Sequence, residues 1–548
     1  MCRKLLFLAS ILATLNSCSP SKMKVDLIVT NASVYTVDSS FSKAGSFAVK
    51  DGKFIAIGAQ EEILSKYSSN QILDCSGKPI YPGFIDAHCH FYGYGMDLMQ
   101  YVTLDGSPNQ ESIYNKLKEY HQKLEGNWIL GRGWDQNLWP DKSFPDNKLL
   151  NETFPDTPVY LVRIDGHAAW CNKKALDLAG ITADTKVDGG KIIIKDGKPT
   201  GVLIDNAMQL VFNRIPAPAN GLKTKALIEA QKNCFAVGLT SVTDCGLPKE
   251  IILLIDSLQK NGNLLMQMNV MMDPSKENFD YFLKNGPYLT DRLQVRSIKL
   301  YADGALGSRG AYLLSDYSDQ PGNRGIMINP ESYFDDICQK AYEAGYQVAT
   351  HCIGDGANRF ILNIYGKYLK GKNDKRWRIE HAQVVNPADF NLFGKYSIIP
   401  SVQATHATSD MFWADERLGP DRIKGAYAYK QLLAQNGWIP NGTDFPIEDI
   451  NPIKTFYAAV VRKNLEGQPT GGFELENALS KEEALKSITL WAAKAGFQES
   501  KTGSIEVGKN ADFVILDTDL MTCTDLDILK AQVLKTVLNG AIVFDSWK

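Results

Sequence analysis

Apolar positions in this chain follow three regimes. Residues 25–75 form short β-branched and aromatic runs, with Asp51-Gly52 as a hairpin turn signal between two of them. The C-terminal residues 512–516 and 533–544 have the same character and turn at Asn539-Gly540. Two β-rich ends predict one small β-domain built from residues 25–78 and 501–548. Between them, short apolar strands alternate with helix-compatible segments such as 333–344 and 426–436, the pattern of βαβ units and a parallel sheet. Candidate strands are 80–90, 239–244, 264–271, 295–302, 346–351, 377–381, 396–403 and 438–444. Eight strands with intervening helices predict an α/β fold, a (β/α)8 TIM barrel over residues 79–500, with the active site at the C-terminal strand ends. A doubly wound open sheet is the alternative.

About 150 residues separate the first two strands, far more than a barrel connection needs. Residues 97–225 are therefore expected to be an inserted subdomain. It has its own strand at 158–164 and a hairpin over 191–195 turning at Asp196-Gly197. Its tryptophans Trp128, Trp134, Trp139 and Trp170 form either a private core or a lid over a substrate.

The N-terminus stands apart. Arg3 and Lys4 precede an apolar run over residues 5–15, too short to span a membrane as a mature helix, and then Asn16-Ser17-Cys18. This reads as a secretory signal over 1–17. Leu15-Asn-Ser-Cys18 resembles the bacterial lipoprotein box, which implies cleavage before Cys18, lipidation of that residue and a tether over 18–24. The expected location is the bacterial cell envelope, periplasmic or outer-membrane anchored, with the membrane reached through the lipid. A net charge of −3 gives no argument for nucleic acid as a partner. The eight cysteines beyond the signal are scattered, without a C-x-x-C pair, and read as small core residues. A homodimer is among the assemblies left open.

Histidine is scarce, with only seven in 548 residues, so position carries weight. His88 and His90 are spaced i, i+2 at the end of the first strand, where alternate side chains share a face. His351 ends the fifth strand and His381 the sixth. Four of seven histidines thus mark one rim, and neutral imidazole is a common ligand of divalent transition metals. Lys299 lies in the fourth strand, shortly before Asp303-Gly304, and Asp444 ends the eighth.

Asp86-Ala-His-Cys-His90, Lys299 with Asp303-Gly304, His351-Cys-Ile-Gly-Asp355, Arg378-Ile-Glu-His381 and Gly442-Thr-Asp444 together resemble the amidohydrolase superfamily. Gly131-Arg-Gly-Trp-Asp-Gln136, Asp165-Gly-His167 and residues 503–512 are similar to its branch of YtcJ-like enzymes and N-substituted formamide deformylases. The resemblance runs from about residue 25 to the C-terminus. It implies a metal-dependent hydrolase barrel, a β-sandwich of both termini and an insertion after the first strand. It further implies that His88 and His90 hold one divalent metal, and His351 and His381 a second. Lys299, carboxylated to a carbamate, would bridge them, and Asp444 would bind metal and shuttle a proton. Zinc suits the histidine-rich set, without excluding iron, manganese or nickel. His167 and His406 look like substrate-side groups. Asp303 and Trp134 are further candidates for substrate contact, and Asp86 for support of a ligand from behind. Thr443 departs mildly from the serine commoner there.

The expected reaction is hydrolysis of a non-peptide carbon–nitrogen bond, an amide of a small molecule, by metal-activated hydroxide with Asp444 protonating the leaving nitrogen. Ester or lactone hydrolysis on the same site is the alternative within enzymes. A non-catalytic binding lipoprotein is the alternative outside them.

Overall fold

The computed structural model describes residues 22–124 and 126–547. The expected signal segment 1–17 and the lipidation candidate Cys18 lie outside them. Seven parallel strands form a nearly closed sheet in chain order: β1 (Phe84–Cys89), β2 (Leu239–Leu247), β3 (Gln267–Met272), β4 (Leu293–Tyr301), β5 (Gln347–Cys352), β6 (Arg378–His381) and β7 (Ile399–Ser401). These strands are buried almost throughout, because helices or loops cover one face and the barrel core fills the other. The hydrophobic runs seen in the sequence follow from that double burial.

The expected eighth strand is corrected. Residues 438–444 are extended but make only an isolated parallel bridge, Asn441 to Val402. They still span the gap between β7 and β1. Val402 N donates to Pro440 O (3.1 Å), and Gly442 N to Val402 O (3.0 Å). On the other side Asp444 N donates to His88 O (2.8 Å) and His90 N to Phe445 O (2.8 Å). Close approach explains Gly442: a Cβ there would stand 2.5 Å from His88 N.

A second correction concerns the first strand. The run at 80–90 breaks at Gly83, where a Cβ would fall 2.3 Å from Thr240 Oγ1. Pro79–Pro82 joins a six-stranded terminal sheet, pairing with Ser33–Tyr35 and Phe513–Leu516, and only Phe84–Cys89 enters the barrel. That sheet also holds Val533–Leu538, and a four-stranded sheet holds Leu27–Thr30, Ser46–Lys50, Lys53–Gly58 and Ile72–Asp74. Phe47, Phe54, Ile80, Phe513 and Val537, drawn from both sheets and both ends of the chain, share one buried cluster.

The segment after β1 carries its own six-stranded sheet, between Val102–Thr103 and Lys198–Asp205. Trp134, Trp139 and Trp170 pack with ring centroids 6.1–6.4 Å apart inside its core. Trp134 is fully buried and donates Nε1–H to Leu161 O at 2.8 Å. It therefore serves as private core there and does not face the barrel mouth, which corrects the expectation of a substrate contact. Among the described residues all eight cysteines are free, and no helix is long and apolar enough to cross a membrane.

Candidate metal centre

A cavity of about 650 Å³ opens at the C-terminal ends of the strands. Its floor gathers the six residues the sequence singled out as ligands: His90, Lys299, His351, His381 and Asp444 line it, and His88 lies behind them, fully buried. His88 and His90 converge as the i, i+2 spacing predicts. Their Nε2 atoms stand 3.4 and 3.3 Å from Asp444 Oδ1. The His88 and His381 rings are 4.9 Å apart, those of His351 and His381 4.6 Å. One ligand atom from each of His88, His381 and Asp444 falls within 4.8 Å of the others, the one such group of three found among the described residues. Lys299 Nζ is 3.2 Å from His88 Nε2.

Neighbouring groups hold three of these imidazoles from behind. His88 Nδ1 meets Glu380 Oε2 at 2.5 Å, His381 Nδ1 meets Gln403 Oε1 at 2.7 Å, and His351 Nε2 meets Gly304 O at 3.4 Å. Each acceptor draws the ring proton to that nitrogen and leaves the other free as a ligand, the usual outer-shell arrangement of metal-binding histidines. Burial keeps His351 and His381 neutral by pushing them well below the ordinary imidazole range. His381 and Asp444 sit at φ 70° and 61°, left-handed conformations that non-glycine residues adopt at a cost and that concentrate at functional sites.

The residues fit a cation. Asp444 Oδ1 is buried without a hydrogen-bond donor, a costly state that a bound cation relieves. Burial opposes ionisation of Asp444, but the adjoining His88 and His90 outweigh it and hold the carboxyl well below its usual range. Lys299 is 1% exposed. Burial works to lower its amine, yet Tyr301, Cys245, Glu380 and Asp444 prevail and the net shift is upward.

Other expected residues take different places. His406 Nε2 is buried, unpaired and 3.6 Å from Asp444 Oδ2, on the substrate side. His167 comes from the insertion to line the cavity, its ring 4.8 Å from that of His351. Asp303 turns away from any substrate: its carboxylate accepts from the backbone N–H of Tyr312, Ile353 and Gly354 at 2.8–3.0 Å and ties the loops after β4 and β5. Asp86 accepts from His88 N (3.0 Å) and from Thr443 Oγ1 (2.7 Å), pinning the closing segment to β1. Threonine fills this role through the hydroxyl it shares with serine.

Several residues of the site carried no signal of their own in the sequence. Glu380 was visible only as a letter of its motif. Asp244, in β2, accepts from Tyr92 N (3.0 Å) and caps the helix Phe91–Gln100 that follows His90. Asp410 and Glu448 also line the cavity, and neither has a Lys, Arg or His partner within ion-pair range among the described residues. Burial chiefly raises Glu448 from 4.5 to about 7. Its folded-state pKa lies above the unfolded one, so its contribution to stability is full below pH 4.5 and is lost as pH rises through about 7. Between pH 6 and 8 the melting temperature of the native protein should therefore fall more than that of Glu448→Gln. Equal falls in a pH series of thermal melts would exclude this.

A family model described as "Amidohydrolase family" matches residues 71–544. The chain is 31% identical over 524 residues to the Bacillus subtilis protein named "Putative amidohydrolase YtcJ", covering 93% of this chain and 98% of that one. It is 26% identical over 544 residues to an N-substituted formamide deformylase of Arthrobacter pascens, covering 95% and 98%. Among solved structures, an uncharacterized metal-dependent hydrolase of Pyrococcus horikoshii superposes with a TM-score of 0.74 at 28% identity, over 91% of this chain and 99% of that one. These likenesses span barrel, insertion and terminal sheets alike, and with the rim of histidines and the buried Asp444 they lead to one assignment: the chain belongs to the amidohydrolase family and is a metal-dependent hydrolase.

Proposed function

We propose that this hydrolase cleaves a non-peptide carbon–nitrogen bond, an amide-type bond of a small molecule. The observation that carries this reading is the convergence of His88, His381 and an ionised Asp444, whose Oδ1 has no hydrogen-bond donor, on the floor of a substrate-sized cavity. The likeness to a formamide deformylase supports the choice of bond. We read the scaffold as a (β/α)8 barrel whose eighth position is the extended segment 438–444, with the two terminal sheets as a β-sandwich.

His88, His90, His351, His381 and Asp444 would hold the metal, and nitrogen with carboxylate donors suits zinc. When bound, the cation supplies Lewis acidity to the amide carbonyl and to water. Asp444 is a base at neutral pH. It takes the proton of the attacking water at Oδ2, the oxygen facing His406, and returns it to the departing nitrogen. We place a carbamate on Lys299, formed when its neutral amine adds CO₂ and releases a proton. Asp444, one of the groups that raise this amine, would lose that grip in holding a cation. In the cell we place the protein in the envelope, tethered through a lipid on Cys18.

The test is a panel of N-formyl and N-acyl amines against matched esters, offered to the zinc-loaded protein while amine and acid release are followed. Release from the amides is expected. Turnover of esters alone would overturn the amide reading.

A further inference from the structure

Part of the cavity wall comes from the segment between β1 and β2, and there His167 meets Asp205. The two residues end neighbouring antiparallel stretches: Ala168 pairs with Ile204, and Asp205 N donates to His167 O at 3.0 Å. His167 Nδ1 lies 2.7 Å from Asp205 Oδ1, and the His167 backbone N–H is anchored on Asp165 Oδ1 at 3.0 Å.

Three observations single out Asp205. Its backbone stands at φ 50°, ψ −125°, a region that side-chain-bearing residues rarely adopt. Its Oδ2 is buried without a donor. The loop after β4 comes so close that a Cβ on Gly304 or Gly310 would fall 2.4 or 2.6 Å from this oxygen. Two glycines thus make room for one carboxylate from another part of the chain, and among the described residues the one side chain it hydrogen-bonds is His167. That ring then sits 4.8 Å from the ring of His351, on the cavity.

We propose that Asp205 is a positioning residue, which fixes the His167 ring so that Nε2 is presented to the substrate beside the metal centre. The insertion thereby completes the site. Nδ1–H is committed to Asp205 Oδ1, which leaves Nε2 as the nitrogen that faces the cavity and settles which way the ring points. His167 acts on the oxygen or nitrogen of the scissile bond, and Asp205 acts only through His167. This rests on the hydrolase reading above, but not on which bond is cleaved.

The experiment is a double-mutant cycle with Asp205→Asn and His167→Gln in the full, metal-loaded protein. Both substitutions keep size and polarity. The cycle is read on whichever substrate class the native protein turns over, so failure of the amide reading leaves it intact. Each single variant is expected to lose roughly tenfold or more of kcat/KM, chiefly in kcat. The double variant should be no worse than the more damaged single variant, because the two residues act as one unit. Metal content, measured by elemental analysis, should stay at the native level in all three. Losses that multiply in the double variant would overturn the proposal, as would activity retained within twofold in either single variant. So would a loss of metal that parallels the loss of rate.

Discussion

Asp444→Asn should lower kcat by roughly 10²- to 10⁴-fold, the range over which a positioned acid–base group contributes, with the fold kept. Asparagine has the shape of aspartate but cannot take a proton near neutral pH. The carboxylate is ionised because His88 and His90 adjoin it despite its burial. It is placed by the closing segment: its own N–H donates to His88 O at 2.8 Å, and Asp86 holds the preceding Thr443 by backbone and hydroxyl. Those backbone ties survive the substitution, so a thermal melt of the variant should stay close to native while turnover collapses. A variant that turns over within tenfold of the native rate would remove Asp444 from proton transfer. The side-chain amide still offers one oxygen to a cation, so metal content should fall less steeply than kcat.

Glu380→Gln should weaken metal retention by about 10- to 100-fold, the usual cost of losing an outer-shell partner, and should also destabilise the fold. Glu380 is fully buried between two groups. Its Oε2 meets His88 Nδ1 at 2.5 Å, and its Oε1 lies 2.6 Å from Arg378 Nε. Burial would raise this carboxyl, but Arg378, His88 and Lys299 bring it down to about 2. Glutamine leaves Arg378 buried with its charge uncompensated, although Ala87 O and Ser401 Oγ still accept from Nη2. Breaking a buried pair in this way costs about 3–5 kcal/mol. The measurements are chelator competition for metal affinity and denaturant unfolding for stability. Native metal affinity in a folded Glu380→Gln protein would show that His88 needs no support. Sign also matters for pH. The Glu380 pKa is depressed, so its stabilisation is present above the ordinary carboxylate range and is lost as pH falls through about 2.

Local chemistry was enough to read much of this protein. The dipeptides Asp51-Gly52, Asp196-Gly197 and Asn539-Gly540 marked hairpins, and in each both residues take positive φ, 48–51° then 71–76°, as two-residue hairpin turns require. The continuous apolar runs marked β2 to β7 because a parallel strand buried on both faces needs no alternation. Histidines at strand ends marked the metal centre, because a barrel brings all C-terminal strand ends to one rim whatever lies between them. The separate sheet between Val102 and Asp205 lies within a gap whose length already exceeded that of a connection.

Other features depended on packing between segments distant in the chain. The sequence shows Ile80 to His90 as one run. Only the approach of Thr240 to Gly83 breaks it and gives its two halves to different sheets. Trp134 looked like a substrate contact because aromatic residues serve cores and pockets equally. Its neighbours Trp139 and Trp170 decided for the core. Residues 438–444 have the composition of a strand, but hydrogen bonding to β7 and β1 leaves them extended, and Asp444 turns into the mouth at φ 61°. Glu380 behind His88, and Asp205 behind His167, lie 292 and 38 residues from their partners. A single sequence therefore determined which residue types could ligate a metal, because ligand chemistry resides in the side chain. Which nitrogen of each histidine is free to do so was decided by the tertiary structure, because that depends on the group packed against the other nitrogen.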